Sequence, residues 1–374
     1  MVSIGGIGFA IILMFMQLGF LGSVGDTAVL VYERLPCHLV VRSRDYLHVF
    51  DTGTLPVDTT ASLEGLEVVR DALPLDISVS RWQNPQNGSY RAIALMGIDL
   101  DRPALDLPEL KTNAGVRLRS TGHVLVDDAS SSDYGPVNGK AFGTQDIGVR
   151  TDVGGQEAVV VGTFRMGTGL AANGALLGSR ETFTRLMPGS DPDETSLIML
   201  RLKPGVAPEI AKQIVAKRLV QLSGPARHAV VMTLDEVSSA EKSRWYTETP
   251  IGMIFGIGVA LAVVVGGVIS YMILASDVTA HLGEYATLRA MGYSNQYLIR
   301  TLLSQASLLA LIALPPSTLA ALGLYEITSA VAGLPIRMTI LWLIIVWTLS
   351  VVMCNTAGVL ALRKLLQAEP ANLF

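Results

Sequence analysis

Few residues of this 374-residue chain have the spacing that nucleotide binding or catalysis requires. The nearest approach to a phosphate loop is "GPVNGKA", from Gly135 to Ala141. A phosphate loop needs four residues between its glycines and a Ser or Thr after its lysine. Here three residues separate Gly135 from Gly139, and Ala141 follows Lys140. The stretch therefore lacks both the loop length and the magnesium-binding hydroxyl, and we interpret it as a turn.

Metal binding and nucleophilic catalysis have as little support. The histidines are scattered and form no His-Glu-x-x-His pattern: His38, His48, His123, His228 and His281. The two cysteines, Cys37 and Cys354, fit neither a zinc site nor a disulfide framework, and no Gly-x-Ser-x-Gly elbow is present. We therefore predict that the chain is not an enzyme and itself holds no metal or cofactor.

The composition is that of a membrane protein. Half of the residues are hydrophobic and 16% are charged, against about 25% charged in soluble domains. The net charge of −4 comes without a basic patch, so nucleic acid is not an expected partner. Four uncharged apolar runs are each long enough to cross a bilayer: Val2–Leu21, Ile251–Ala275, Leu302–Leu324 and Ile340–Leu362. The first run is too long for a signal peptide, and no basic residue precedes it.

The long stretch between the first two runs has the pattern of a folded domain. Short β-branched runs bounded by turn residues predict strands at "CHLVVRS", "DISVS", "RAIALMGI", "HVLVDD", "EAVVVGTF", "SLIMLRL" and "HAVVMTL". An amphipathic helix is predicted after Pro208, and a weaker one over Leu63–Leu73. We therefore predict an α-helical membrane protein with four transmembrane helices and a large α+β extracytoplasmic domain between helices 1 and 2.

The distribution of basic residues orients these segments. Arg289, Arg300, Arg363 and Lys364 lie on one side of the predicted membrane, whereas the loop between helices 3 and 4 offers Arg337. The positive-inside rule then places both chain ends in the cytoplasm and the large domain outside. The predicted segments are transmembrane helix 1 (1–24), the large domain with a stalk (25–249), transmembrane helix 2 (250–276), a cytoplasmic elbow (277–300), transmembrane helix 3 (301–325), a short outer loop (326–338), transmembrane helix 4 (339–362) and a cytoplasmic tail (363–374).

The elbow, residues 277–300, is a polar helical segment between two membrane helices. Apolar residues at spacings of three and four predict one stripe on a single helix: Val278, Leu282, Tyr285, Leu288 and Met291. Gly292 is placed to end this helix in the left-handed conformation, and Ser294 to cap the next one. An interfacial helix in the lipid headgroups is the alternative, but such helices carry a Lys/Arg-rich face that is missing here. The pattern favours a docking surface for another protein.

Several stretches resemble the DevC-type permeases of ABC exporters, within the wider MacB/FtsX group. The resemblance is carried by "HLGEYATLRAMGYSNQYLIR" in the elbow, with "TPIGMIFGIGVALAVVVGGVISY" before it and "MCNTAGVLALRKLLQAEPANLF" at the end. "FMQLGF" and "GTGLAANGALLGSRETFTRL" extend it to the first span and the large domain. The motifs are specific in combination and span nearly the whole chain.

The resemblance implies an inner-membrane half-transporter that forms a homodimer and moves a lipid-like or amphiphilic substrate. Its implied partners are a separate ABC ATPase that binds the ATP, a periplasmic membrane-fusion adaptor, an outer-membrane TolC-like channel and the membrane lipids. The residues that would contact the ATPase are Glu284, Tyr285, Leu288, Arg289, Met291 and Gly292. For the charged pair among them, a solvated juxtamembrane role is the alternative.

Two features depart from this family. Its members usually begin with a basic amphipathic segment, whereas Met1 leads here directly into apolar sequence. Either the true start lies upstream or the protein lacks that segment. Pro315 and Pro316 stand inside the third span, where the family more often has proline followed by glycine, and two missing N–H donors predict a kink.

Small and interfacial residues give two further expectations. Close helix packing, within one subunit or between two, is predicted at Gly252, Gly256, Gly266 and Gly267. Ser239–Thr249 is predicted to extend the second transmembrane helix outward as a polar stalk, with Trp245 and Tyr246 at the membrane interface.

The sequence thus predicts the permease subunit of a tripartite ABC exporter in a Gram-negative or cyanobacterial cell. One alternative is an FtsX-like regulatory permease that transmits ATPase motion to an extracellular hydrolase without transport. A second is a membrane-anchored ligand sensor, for which "LLQAEPANLF" after Lys364 leaves little room for an output domain.

Overall fold

The chain is divided into two compact units. The computed structural model describes residues 2–167, 173–281, 283–284, 287–288, 291–332 and 336–367. The membrane unit comprises residues 1–24 and 246–374, and the large domain comprises residues 25–245. The division falls close to the change from apolar to mixed sequence.

Strands and short helices occupy the chain between two long apolar helices. The helices are α1 (Val2–Ala28), α2 (Leu30–Glu33), α3 (Asp58–Glu64), α4 (Asn113–Arg117), α5 (Arg180–Leu186), α6 (Pro208–Val220), α7 (Leu234–Thr247), α8 (Pro250–Ala280), α9 (Asn295–Ala332) and α10 (Ile340–Gln367). The strands are β1 (Leu39–Arg42), β2 (Leu55–Pro56), β3 (Val69–Gln83), β4 (Tyr90–Ile98), β5 (His123–Asp127), β6 (Arg150–Val153), β7 (Gln156–Phe164), β8 (Ala175–Ser179), β9 (Glu194–Thr195), β10 (Leu197–Leu202) and β11 (Val230–Thr233). The predicted α+β class of the large domain is confirmed.

Within the described residues, the large domain is built on a nine-stranded sheet with the order β11-β1-β10-β3-β4-β8-β5-β7-β6. The long strand β3 pairs with β10 along its first half and with β4 along its second half. Near its end, Trp82 lies opposite Val153 of β6. Because β6 is the last strand in the order, this pairing closes β3, β4, β8, β5, β7 and β6 into a ring.

Alternate side chains of these strands enter different hydrophobic cores. In β4, Ala94 and Met96 join one core, whereas Ile93 and Leu95 join another. Ile198 of β10 joins a third core together with residues of α3 and α6. This two-residue period is that of a strand with both faces covered. The seven runs predicted as strands all lie in this sheet, in β1, β3, β4, β5, β7, β10 and β11.

The two helices predicted in this domain have different outcomes. α6 begins at Pro208 as predicted and buries Ala211, Val215 and Leu219 at four-residue spacing. The helix predicted over Leu63–Leu73 is wrong, because α3 ends at Glu64 and the chain is extended from Val69. That extended segment pairs with β10, whose residues are more than a hundred positions away. A distant strand partner therefore overrides the local helical pattern.

Among the described residues, four helices are long and apolar enough to cross a membrane: Gly5–Ala28, Pro250–Ala280, Gln296–Ala330 and Ile340–Ala361. The predicted four transmembrane helices are thereby confirmed. In the most apolar stretch of α1, 61% of the residues are buried. In the corresponding stretch of α8, 17% are buried. α1 is thus enclosed by other parts of the membrane unit, whereas most of α8 faces outward. The helices extend a few residues beyond the predicted spans.

Hydrogen bonds join α9 to α1 and α10 in the membrane unit. The Tyr325 hydroxyl of α9 donates to the Phe15 carbonyl of α1. The Asn355 amide of α10 donates to Ser307 Oγ of α9 over 3.0 Å. α9 remains one helix through both prolines, and the Thr318 hydroxyl donates to the Leu314 carbonyl over 2.7 Å.

The predicted stalk is not a continuation of α8. α7 ends at Thr247, and α8 starts at Pro250 with Thr249 as its N-cap, whose hydroxyl accepts from the Gly252 N–H over 3.3 Å. Proline at the first position lacks an N–H that a continuing helix would use, so a new helix begins there. Trp245, predicted at the membrane interface, is instead buried and donates to Glu241.

Candidate functional site

The elbow begins later than the sequence suggests. α8 continues to Ala280 and buries Val278, so Val278 belongs to the same helix as the second membrane span. Leu282 and Tyr285 of the predicted apolar stripe lie outside the described residues, and the stripe stays a prediction. The Asp277 carboxylate, in the last turn of α8, accepts a hydrogen bond from the Gln305 side chain of α9.

The predicted contact residues that the structure describes are accessible. Glu284 is exposed, Leu288 is half-buried, and Met291 is 62% exposed. Tyr285 and Arg289, like Leu282 of the predicted stripe, lie outside the described residues. The accessible members combine a carboxylate with a flexible thioether, which suits contact with another protein surface.

Gly292 ends the helical segment of the elbow as predicted. Its φ of +88° lies in the left-handed region that side-chain-bearing residues avoid. The N–H of Tyr293 donates to the Leu288 carbonyl over 3.1 Å, and the N–H of Met291 donates to the Thr287 carbonyl over 3.0 Å. The first of these bonds, which spans Gly292, is the longer bond of a Schellman motif and satisfies a carbonyl at the helix end.

Ser294 caps the following helix, again as predicted. α9 begins at Asn295, and the N–H of Tyr297 donates to Ser294 Oγ over 3.4 Å. The rings of Tyr293 and Tyr297, which flank Ser294 in the sequence, lie 4.8 Å apart. The turn between the two helices is thus defined on both sides by specific backbone geometry rather than by chain flexibility.

Polar contacts join the membrane helices at the ends nearest the elbow. The bond from Gln305 to Asp277 links α9 to α8. His281, which follows α8, places Nδ1 2.9 Å from the Asp277 carbonyl oxygen and 3.7 Å from the Asp277 carboxylate. The backbone carbonyl of Asp277, followed by the negative charges of Glu284 and Asp277, raises the pKa of His281. Asp277 thus contacts both α9 and the residue that follows α8.

The glycines predicted at helix contacts separate into two kinds. A Cβ on Gly266 would lie 2.6 Å from Ala10 Cβ and 2.5 Å from Met353 Sδ, so Gly266 allows α1, α8 and α10 to approach closely. Gly252 is also buried, and Gly267 is half-buried. A Cβ on Gly256 would meet nothing within 4 Å, and Gly256 is exposed.

The clefts of the large domain do not assemble reactive groups. In one cleft of about 580 Å³, the Arg81 guanidinium stacks 4.5 Å above the Tyr90 ring, and Arg91 pairs with Asp133 at 3.2 Å. In a second cleft of about 480 Å³, the arginines pair with acidic side chains. Across the part of the chain that the structure describes, no group of three His, Cys, Asp or Glu side chains could hold a metal ion.

Sequence reasoning missed the buried ionisable groups of this domain. Asp127 is fully buried and accepts the N–H groups of Ala129, Met166 and Gly167 over 3.1, 3.2 and 2.7 Å. Burial raises the pKa of Asp127, and these three bonds oppose that effect. Glu241 binds partners 192 and 195 positions away along the chain. Such distant partners leave no local pattern in the sequence.

The fold and the elbow define a class: a multi-pass membrane protein in which a large α+β domain is inserted after the first helix. Residues 253–370 match the model of the FtsX-like permease C-terminal family. The match covers most of α8, the whole elbow and the helices that follow it. Residues 253–370 therefore form an FtsX-like permease C-terminal domain, which agrees with the predicted resemblance to the MacB/FtsX group.

The large domain is similar to several solved structures, among them the following three. The periplasmic region of MacB from Actinobacillus actinomycetemcomitans is 12% identical over 56% of this chain and 94% of that one, with a TM-score of 0.38. The extracellular domain of the noncanonic ABC-type transporter YknZ from Gram-positive bacteria is 15% identical over 52% and 98%, with a TM-score of 0.38. A domain of a putative permease protein from Porphyromonas gingivalis is 15% identical over 54% and 90%, with a TM-score of 0.32. These likenesses are too weak to carry a functional argument. No curated protein matches the chain in sequence.

Proposed function

We propose that this chain is the permease subunit of a DevC-type tripartite ABC exporter. The observation that carries the proposal is the elbow within the FtsX-like domain, a short segment that turns at Gly292 and Ser294 before α9 and follows the contact between Asp277 of α8 and Gln305 of α9. Such a segment can receive a push from a partner and pass it to α8 and α9. ATP is bound and hydrolysed by a separate ABC ATPase, and this chain contributes no catalytic group.

The proposed orientation places the elbow in the cytoplasm. Four membrane crossings put both chain ends on the side of the elbow and the large domain on the other side. Arg300 and the basic pair Arg363 and Lys364 then face the cytoplasm, as the positive-inside rule requires. The protein then lies in the inner membrane, and its large domain lies in the periplasm.

The ATPase contact is assigned to the accessible residues of the elbow. Glu284, Leu288 and Met291 form it together with Tyr285 and Arg289, and Gly292 sets the direction in which they are presented. Charged and thioether side chains around a rigid turn suit a surface that is engaged and released in each ATP cycle.

The proposed assembly contains two copies of the permease. One side of α8 carries exposed apolar residues at spacings of three and four: Met253, Ile257, Leu261, Val264, Val268 and Met272. The exposed Gly256 adjoins this stripe and would let a second α8 approach closely. A membrane-fusion adaptor and a TolC-like channel complete the pathway for a lipid-like or amphiphilic substrate. A regulatory permease that moves no substrate is the competing function, since it would need the same elbow.

Copurification tests the proposal. A tagged full-length chain, expressed with the ABC ATPase encoded nearest to it, is extracted in mild detergent and the bound ATPase is quantified. We expect Glu284→Arg with Met291→Asp to lower ATPase recovery by about tenfold, as loss of interface anchors does. Thr279→Ala is the matched control, because its hydroxyl bonds the Ala275 carbonyl of its own helix over 2.7 Å.

Two results would refute the proposal. One is that no ABC ATPase is recovered with the unmodified chain. The other is labelling of Ser294→Cys by a membrane-impermeant maleimide in intact spheroplasts, in a background with Cys37 and Cys354 replaced, since that would place the elbow outside. ATPase recovery without any effect on efflux when the gene is deleted would favour the regulatory permease.

A further inference from the structure

A buried carboxylate lies in the large domain, on the helix that leads to α8. Glu241 of α7 is only 2% exposed. Its Oε2 accepts from the Tyr46 hydroxyl over 2.7 Å. Its Oε1 accepts from the Val49 N–H over 3.0 Å and from Trp245 Nε1 over 3.3 Å. Three donors compensate the loss of water around a charge that would otherwise be costly to bury.

The network extends to a second tyrosine. A hydroxyl has one proton, and Tyr46 gives its proton to Glu241, so the Tyr32 hydroxyl donates to the Tyr46 oxygen. Burial raises the pKa of both tyrosines, so both keep their protons. The Arg42 guanidinium stacks 4.4 Å above the Tyr46 ring, and Arg244 donates to the Tyr46 carbonyl over 3.1 Å. The donor chain therefore has one direction, from Tyr32 through Tyr46 to Glu241.

The hydrogen-bond network centred on Glu241 joins three segments: Glu241 bonds the loop of residues 43–51 directly, and Tyr46 of that loop bonds Tyr32 of α2. Tyr32 lies on α2, which directly follows α1. Tyr46 and Val49 lie in the loop of residues 43–51 that follows β1. Trp245 lies on α7 beside Glu241, shortly before α8 begins. One carboxylate thus joins the segment by which the chain enters the large domain to the helix by which it leaves.

An apolar side chain could fill the same position if packing were the only requirement, because buried charges are often replaceable by apolar residues of similar size. Apolar contact permits segments to slide, whereas a hydrogen bond loses strength within a few tenths of an ångström and with angle. A carboxylate with donors from separate segments therefore fixes their relative positions.

We infer that Glu241 is a positioning residue that makes α2, the loop of residues 43–51 and α7 move as one body. Motion of α1 or α8 is then delivered to β1 and the sheet rather than absorbed where the chain enters and leaves the domain. This inference rests on the proposed function for the source of the motion. The hydrogen-bond network that it requires can be tested independently of the proposed function.

The first experiment measures the network in the purified full-length chain. Hydrogen–deuterium exchange of the Val49 amide reports the bond to Glu241. We expect Glu241→Leu to speed this exchange by about tenfold or more, because the amide loses a charged acceptor. Tyr46→Phe removes one donor and should give a smaller increase. Lys242→Ala, which lies next to Glu241 on α7, is the control, since it leaves all three donors to Glu241 in place and removes the partly exposed 3.2 Å pair with Asp26 of α1. Unchanged Val49 exchange in Glu241→Leu would overturn the inference.

The second experiment separates positioning from simple structural support. In the complex with its ATPase, exchange in the loop of residues 43–51 is compared with and without ATP. We expect an ATP-dependent change in the unmodified chain and in Lys242→Ala. Glu241→Gln should lose that change while still folding and supporting ATP turnover, because its amide offers one acceptor oxygen in place of two.

The outcomes distinguish the positioning role of Glu241 from the proposed function of the chain. An ATP-dependent change that persists in folded Glu241→Gln would mean that Glu241 is only structural and would overturn the inference. The same holds if an ATPase copurifies but ATP changes nothing in the unmodified chain, and the proposed function then survives. Failure to recover any ATPase instead refutes the proposed function, and the relay with it.

Discussion

The large domain and the membrane unit treat polar groups in opposite ways. The large domain buries carboxyl side chains and surrounds each with several hydrogen-bond partners, as at Asp127 and Glu241. Among the described residues of the membrane unit, the buried polar side chains are hydroxyls, and two of them bond a carbonyl of their own helix. Thr318 donates to Leu314 and Ser350 donates to Val346, each over 2.7 Å. The large domain thus holds its segments together through buried carboxyl groups, whereas the buried polar groups described in the membrane unit are hydroxyls.

The surrounding medium explains the difference. In water, the hydrophobic effect drives folding and leaves stability to spare for a few buried charges. In lipid, apolar side chains gain nothing by leaving the medium, so helices associate through close packing of small residues. Gly266 between Ala10 and Met353 is such a contact, whereas the stripe of α8 from Met253 to Met272 stays on the outside. The large domain should therefore be most sensitive to lost charge partners, and the membrane unit to added volume.

The largest effect is expected at the ion pair between Asp76 of β3 and Arg180 of α5. Arg180 Nε lies 2.8 Å from the Asp76 carboxylate, which is almost completely buried. Asp76→Ala leaves the guanidinium without its partner, and we expect the large domain to lose about 3–5 kcal/mol of stability. Thermal or denaturant unfolding of the full-length chain, followed by a large-domain probe, measures the loss.

The double variant Asp76→Leu with Arg180→Met is the control for that prediction. It removes both charges, so it should be clearly more stable than Asp76→Ala alone. If the two variants were equally destabilised, the lost partner would not be the cause. The large domain would then not have the special sensitivity to lost charge partners that we expect of it.

An intermediate effect is expected from added volume at Gly266 in α8. Gly266→Leu places side-chain atoms where Ala10 and Met353 already lie, and we expect a loss of about 1–3 kcal/mol. Detergent-resistant folded protein and its thermal midpoint, measured by fluorescence-detected gel filtration, report the change. Gly256→Leu is the matched control on the same helix, because its surroundings are open. Equal loss in both variants would contradict the packing assigned to Gly266.

The smallest effect concerns the exposed pair between Lys212 of α6 and Glu236 of α7. The hydrogen bond from Lys212, followed by that from the Thr233 N–H, lowers the pKa of Glu236 below its ordinary value of 4.5. The resulting stability is present above that value and is lost as the pH falls through the lowered pKa. Both side chains are partly exposed, so Glu236→Gln should cost about 0–1 kcal/mol at neutral pH and nothing at low pH. Unfolding measured from pH 7 down to pH 3 tests this, and a pH-independent loss would contradict it.

Local patterns in the sequence predicted well wherever the cause of a structure is local. Gly292 and Ser294 act as expected, since a left-handed residue and a capping hydroxyl depend on their immediate neighbours. The start of α6 at Pro208 has the same origin. The four apolar helices followed from composition, because a bilayer tests only length and hydropathy.

Most of the predictions that differ from the structure have the same kind of cause, which is a partner residue far away along the chain. Leu63–Leu73 has a helical pattern, yet from Val69 the chain pairs with β10. α8 continues past Asp277 to Ala280, and the carboxylate of Asp277 accepts a hydrogen bond from Gln305, which lies beyond the turn. Trp245 looked interfacial, but its N–H is held by Glu241 inside the large domain.

The amino-acid sequence by itself determined the number of membrane helices, the class of the large domain and the limits of the elbow turn at Gly292 and Ser294. The tertiary structure alone decided that β3 and β6 close a ring, that Gly266 packs inward while Gly256 stays open, and that Glu241 joins three segments of chain. Hydropathy, turn chemistry and capping act over a few residues. Ring closure, helix packing and the partners of a buried charge depend on residues that only folding brings together.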